Sequence, residues 1–151
     1  MSLILNVIWF VFGGWAVGLA WWFAGILLAL TIVGMPWASA AWRIGSFSFW
    51  PVGREIVDQS LLEGYEEPVT DTWRLFLNII WFLLAGWYLV IAHVLAAAVF
   101  ALTLIGIPFA FQHLKLAALS LAPVGKAIVP VELASEARHL DARTRLAKLR
   151  S

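Results

Sequence analysis

The residues of this chain that could do chemistry are few, and most stand alone among apolar neighbours. His113 follows Gln112 and lies two positions before Lys115, while His93 sits inside an uncharged stretch. A histidine near its ordinary pKa of about 6.5 can carry a proton or gate by pH. Gln112, His113 and Lys115 are therefore candidates for a polar opening on the cytoplasmic side of a membrane path. His93 has no second titratable group within helical reach, and it is expected at a membrane surface, where a neutral ring is tolerated without a function. Asn6 and Asn78 are the remaining candidates. An asparagine in an apolar helix can bond across to a neighbour for about 1 kcal/mol or less, and this structural role is favoured over ion coordination.

Other chemistries lack their residues. Cysteine is absent, which removes disulfides and thiolate metal sites. There is no glycine-rich phosphate loop, no His-Glu-x-x-His pair and no Ser/His/Asp spacing. The apolar stretches hold no carboxylate with which to couple transport to protons or cations. Neither an enzyme nor a bound metal or cofactor is expected.

The elements that must position these residues belong to a membrane protein. Hydrophobic residues make up 63% of the 151, against roughly 45–50% in soluble domains. Every charged residue falls within Arg43–Arg74 or Lys115–Arg150, leaving Leu3–Trp42 and Leu75–Leu114 uncharged. Either uncharged run, taken as one helix, would extend about 60 Å, twice a hydrocarbon core of ~30 Å. Two crossings per run follow, with turns near Gly18–Trp22 and Val90–Val94. A cleavable signal is not expected, because no basic residue precedes Leu3 and the run is longer than the apolar part of such a signal. Two crossings return the chain to its starting side. The seven basic residues of Lys115–Arg150 place that side, and both termini, in the cytoplasm.

Laid against itself, the chain aligns Leu3–Val57 with Leu75–Val129 without a gap, giving 22 identities in 55 positions. Asn6/Asn78, Trp9/Trp81, Thr31/Thr103, Gly34/Gly106, Pro36/Pro108 and Pro51-Val52-Gly53/Pro123-Val124-Gly125 are among them. Apolar composition alone does not align so many Gly, Pro and Asn residues. This is a tandem duplication. Units with an even number of crossings are parallel, related by a pseudo-two-fold axis along the membrane normal.

Gly34 and Pro36, with Gly106 and Pro108, read as helix breaks, since proline lacks an N–H but suits the first turn of a new helix. They are expected near the cytoplasmic end of the second crossing, with Trp37–Trp50 and Phe109–Ala122 following as interfacial helices. Gly14-x-x-x-Gly18 and Ala92-x-x-x-Ala96 allow close helix approach, by default within one chain. The expected architecture is all-α and integral to the membrane. It comprises a first repeat at 3–57, an acidic cytoplasmic linker at 58–74, a second repeat at 75–129 and a cytoplasmic amphipathic helix at 130–151. In that last helix Leu133, Ala137, Leu140, Thr144 and Ala147 form a seam, and Asp141/Arg145 an i,i+4 pair. Its basic residues Arg138, Arg143, Arg145, Lys148 and Arg150 suit anionic lipid. Nucleic acid is not an expected partner.

The stretches "LNVIWFVFGGW", "LNIIWFLLAGWYLVIAHV", "LTLIGIPFAFQHLKLAALSLAPVGK" and "VELASEAR" resemble the YccF family of small bacterial inner-membrane proteins. That family carries one or more copies of a domain of uncharacterised function, and the resemblance covers Leu3 to about Arg145. It implies a multi-pass protein of the bacterial cytoplasmic membrane. It implies no substrate and no catalytic residues. Two functions suit the residues: a small homo-oligomeric channel or pore, or a non-transporting membrane scaffold or regulator. The channel is expected to be a symmetric homo-oligomer, because four short crossings leave little room for a private pathway.

Overall fold

The computed structural model describes residues 2–62 and 71–150. Each repeat is a helical hairpin. In the first, α1 (Ser2–Trp9) passes through a π turn at Phe10–Gly14 into α2 (Trp15–Ala29), and α3 (Met35–Phe49) runs back beside it. In the second, α4 (Asp71–Trp81) passes through a π turn at Phe82–Gly86 into α5 (Trp87–Ala101), and α6 (Ile107–Leu121) returns. Among the described residues, Ser2–Ala29 and Asp71–Ala101 are each long and apolar enough to cross a membrane.

The hairpin turns differ from those expected. Helix α2 runs unbroken through Gly18–Trp22 and α5 through Val90–Val94; the chain reverses instead just after Ala29 and Ala101. The repeated Thr-x-x-Gly-x-Pro builds that reversal. Thr31 Oγ1 donates to the Leu28 carbonyl at 2.8 Å and accepts the Gly34 N–H at 3.1 Å. Thr103 Oγ1 accepts the Gly106 N–H at 3.0 Å in the same way. A Cβ on Gly34 would run into the Leu28 carbonyl, and one on Gly106 into the Phe100 carbonyl. Pro36 and Pro108 then open the return helices from their first turn, where the missing N–H costs nothing. These prolines mark helix boundaries, but at the tip of each hairpin, away from the charged end.

Trp37–Trp50 and Phe109–Ala122 are consequently return limbs and not separate interfacial helices. A buried stripe draws each limb onto its partner: Gly14 at the end of the π turn with Gly18, Trp21 and Gly25 on α2, and Gly86, His93 and Ala97 at the matching places of the second repeat. A Cβ on Gly18 would meet the Phe49 ring, and one on Gly25 the Trp42 indole. Such small residues let helices approach closely where lipid supplies no hydrophobic drive. The pair Gly14/Gly18 packs within the chain, whereas Ala92 is exposed.

The charged ends close with strands, which the all-α expectation omitted. Strand β1 (Arg54–Asp58) pairs antiparallel with β2 (Lys126–Pro130), and Ile56 stands opposite Ile128, its own repeat equivalent. The flanking bonds exchange between the two repeats: Gln59 N–H donates to the Gly125 carbonyl at 3.0 Å, and Val131 N–H to the Gly53 carbonyl at 3.2 Å. Gly53 and Gly125 take φ of 90° and 89°, a region favouring glycine, and turn the chain from helix into strand. Strand β1 and the short 3-10 turn Gln59–Leu61 thus occupy the start of the expected 58–74 linker, and α4 its end. Gly64 and Pro68 of that linker lie outside the described residues.

Helix α7 (Val131–Arg150) lies on the sheet. Of the expected seam only Ala137 is buried, while Leu133, Leu140, Thr144 and Ala147 are exposed. Ala134, outside that seam, is buried against Val57 and Val129. Small side chains bring the helix near a narrow two-stranded surface that leucines would hold away. The Asp141–Arg145 ion pair forms at 2.8 Å.

Candidate functional site: a buried histidine pair between two clamped hairpins

Asn6 and Asn78 do the same work in each repeat. Asn6 Nδ2 donates to the Val52 carbonyl at 3.0 Å, and its Oδ1 accepts the Val52 N–H at 2.9 Å. Asn78 holds Val124 through the same two bonds at 3.1 and 3.0 Å. One turn deeper, Trp9 Nε1 donates to the Ser48 carbonyl at 2.6 Å and Trp81 Nε1 to that of Ser120 at 2.8 Å. The tryptophans satisfy carbonyls that the end of a return helix leaves unpaired, and the asparagines satisfy the backbone of the turn that follows it. With donors and acceptors used in this way, both asparagines act as clamps.

The two hairpins meet through aromatic rings. Trp9 lies 6.0 Å from Phe109, and Trp81 lies 6.4 Å from Trp37, the repeat equivalent of that contact. Trp37 Nε1 also donates to the Leu77 carbonyl at 3.2 Å.

Within this core the structure brings His93 and His113 together. Their Nδ1 atoms are 3.1 Å apart, with both rings buried. The ring that carries the Nδ1 proton donates and the other accepts, so the two are opposite tautomers. His113 also stacks on Phe100 at 5.3 Å and leans on Trp9 at 5.1 Å. His93 is therefore not solitary, and it is buried within the chain. The repeat alignment held a signal for this pairing. Positions 93 and 113 correspond to Trp21 and Ala41, so a large and a small side chain are replaced by two of middle size. Such a swap keeps volume, which close-packed interiors require.

The other candidates separate. Gln112 is buried; its Nε2 donates to the Pro108 carbonyl at 3.3 Å, while its Oε1 has no hydrogen-bond partner. Gln112 and His113 are both buried within their own chain. Lys115 points away from them, its Nζ donating to the Arg54 carbonyl at 2.9 Å beside the sheet. Among the described residues, no three His, Cys, Asp or Glu side chains are grouped to hold a metal. On the charged face, Arg138 donates to Glu55 at 2.8 Å. That guanidinium holds the Glu55 carboxyl below its ordinary pKa.

Comparison with known proteins agrees with this duplicated architecture. The profile of the YccF inner membrane component domain matches residues 4–54 and 76–126, the two hairpins. Over 146 residues the chain is 34% identical to the inner membrane protein YccF of Escherichia coli K12, covering 96% of this chain and 99% of that protein. The inner membrane protein YccF of Shigella flexneri gives the same identity and coverage. No solved structure matches. With two copies of the domain and relatives matched along nearly their full length, the chain belongs to the YccF family of inner membrane proteins.

Proposed function

We propose that this protein is a membrane scaffold: two hairpins, each crossing the bilayer twice, carry a sheet-and-helix platform on the cytoplasmic face. The aromatic packing between hairpins carries this reading. Trp9 against Phe109 and Trp81 against Trp37 fill the space in which a water path through one chain would run. Asn6 to Ala29 covers up to about 36 Å at ~1.5 Å per residue, enough for a core of ~30 Å, whereas the 15-residue return limbs cover about 22 Å each. Four crossings are supported by the ending of each return limb beside the start of its outgoing limb, where Asn6 holds Val52 and Asn78 holds Val124. The tips expose Ile32, Val33, Leu104 and Ile105, all apolar. The basic residues of Lys115–Arg150 favour a cytoplasmic platform, and no catalytic role is assigned.

Ion flux into liposomes holding the purified protein tests the scaffold against a homo-oligomeric channel. Leakage equal to that of empty liposomes is expected. A protein-dependent flux that scales with reconstituted protein would reject the scaffold. Reporter fusions after Ser60 and after the C-terminus should both read as cytoplasmic, and an outside signal at either would reject the four-crossing arrangement.

A further inference from the structure

The charged ends of the hairpins contain two clefts related by the repeat. The first, of 260 Å³, is lined by Trp42, Arg43, Ser46, Arg54 and Ile128. The second, of 490 Å³, includes Leu114, Lys115, Ala118, Lys126 and Ile56. The repeat alignment carries every lining residue of the first cleft onto one of the second. In each, two basic side chains come from a return limb and the strand that follows it, and an isoleucine comes from the strand of the other repeat. The duplication has thus kept two cations and an apolar wall at one place, while Ser46/Ala118 and Trp42/Leu114 have drifted.

The position of the clefts points to a ligand. Their helical walls belong to limbs whose outer faces are apolar, with Trp42 and Leu114 exposed beside the basic groups. Their other wall is the charged sheet. Lys115 Nζ reaches the carbonyl of Arg54, at the start of β1, so its charge lies at the level of the sheet although its Cα is within α6. Each cleft therefore offers cations at the boundary between an apolar belt and a polar platform. That boundary is where a phospholipid keeps its phosphate.

We infer that the two clefts bind the phosphate of anionic phospholipid headgroups, with the acyl chains lying along the outer faces of α3 and α6. Basic pockets between membrane helices on the cytoplasmic side suit such headgroups. The clefts are not equal. The first presents two guanidinium groups, which can each grip phosphate oxygens in a two-pronged way. The second presents two ammonium groups, and its charge is offset by Glu55 on its wall and by Asp58, which bonds Lys126 at 2.7 Å. The first cleft holds lipid more tightly. This inference needs the hairpins to be embedded in a bilayer, but not that the protein be a scaffold; a conducting protein could bind lipid in the same clefts.

Native mass spectrometry of the full-length protein released from nanodiscs tests the assignment. Nanodiscs containing phosphatidylglycerol and phosphatidylcholine are compared for wild type, Arg43→Gln/Arg54→Gln and Lys115→Gln/Lys126→Gln. Wild type should retain phosphatidylglycerol in preference to phosphatidylcholine. The arginine pair should lose roughly tenfold or more in that preference, from the loss of two basic contacts near the surface. The lysine pair should lose less. Arg43→Lys/Arg54→Lys, which keeps the charge, should retain most of it and serves as the reference if the glutamine variant is poorly folded. Arg143→Gln/Arg145→Gln/Lys148→Gln, on the tail, should leave the preference unchanged. Equal retention of the two lipids by wild type would overturn the inference, as would an unchanged preference in the arginine pair or a loss carried by the tail variant. Millimolar inorganic phosphate should not displace the lipid; displacement would assign the clefts to a free anion instead.

Discussion

Asn6 binds the backbone of Val52 on both sides, donating to its carbonyl at 3.0 Å and accepting its N–H at 2.9 Å, across 46 residues of chain. The long limb and the return limb are thereby tied at the charged end, opposite the hairpin tip. Asn78 ties Val124 at the same separation. Asn6→Ala should leave two backbone groups of Val52 without their partner, at a cost of roughly 1–3 kcal/mol. Asn78→Ala should cost a similar amount. The midpoint of thermal unfolding in detergent measures it, and unchanged midpoints in both variants would show that the clamps contribute nothing.

The tip should be intolerant of a side chain at its glycine and tolerant at its proline. Gly34→Ala and Gly106→Ala place a methyl against the Leu28 and Phe100 carbonyls, backbone atoms that cannot swing aside. A loss of at least about 1–3 kcal/mol is expected, the range for overpacking a close-fitted site. Pro36→Ala only restores an N–H at a helix start, and should change stability by less than about 1 kcal/mol. Equal tolerance of both changes would mean that the reversal is not built as described.

The histidine pair should behave as one unit. His113→Ala opens a cavity beside Trp9 and Phe100, and His93→Trp alone overfills the space. Together they copy the Trp21/Ala41 arrangement of the first repeat. The double variant should recover part of the loss, with a coupling of about 0.5–3 kcal/mol between contacting positions. Strict additivity in the four-member cycle would show that the two rings are not packed together.

Docking of α7 should weaken in acid. The Arg138 guanidinium donates to Glu55 and lowers its pKa in the folded protein. A lowered carboxylate value adds stability that is present above the unfolded pKa of about 4.3 and is lost as pH falls through the folded value. The effect is small because both groups are partly exposed and salt screens them. Proteolysis of the α7 segment should quicken below about pH 4.3 in wild type, while Glu55→Gln should be susceptible already at neutral pH and change less with acid. A wild-type profile flat down to pH 3, roughly a full unit below the unfolded carboxylate value, would remove the ion pair from α7 docking.

The sequence by itself determined the membrane class, the tandem duplication and the helix breaks at Pro36 and Pro108. Each follows from residue type and chain order alone: absence of charge from Leu3–Trp42 and Leu75–Leu114, identity at matched positions, and a missing N–H. Position along the bilayer was a different matter. Inside lipid, a face turned to the acyl chains and a face turned to another helix are equally apolar, so hydropathy does not say which residues pack or where a hairpin reverses. Tertiary packing decided that the Gly14, Gly18 and Gly25 stripe draws α3 along α2, which moves the reversal to Thr31–Gly34. The short strands Arg54–Asp58 and Lys126–Pro130 carry little local signal, and each is a strand because its distant repeat equivalent supplies the ladder bonds. His93 and His113 stand 20 residues apart, on helices joined only through that reversal, and meet because the second hairpin closes on itself.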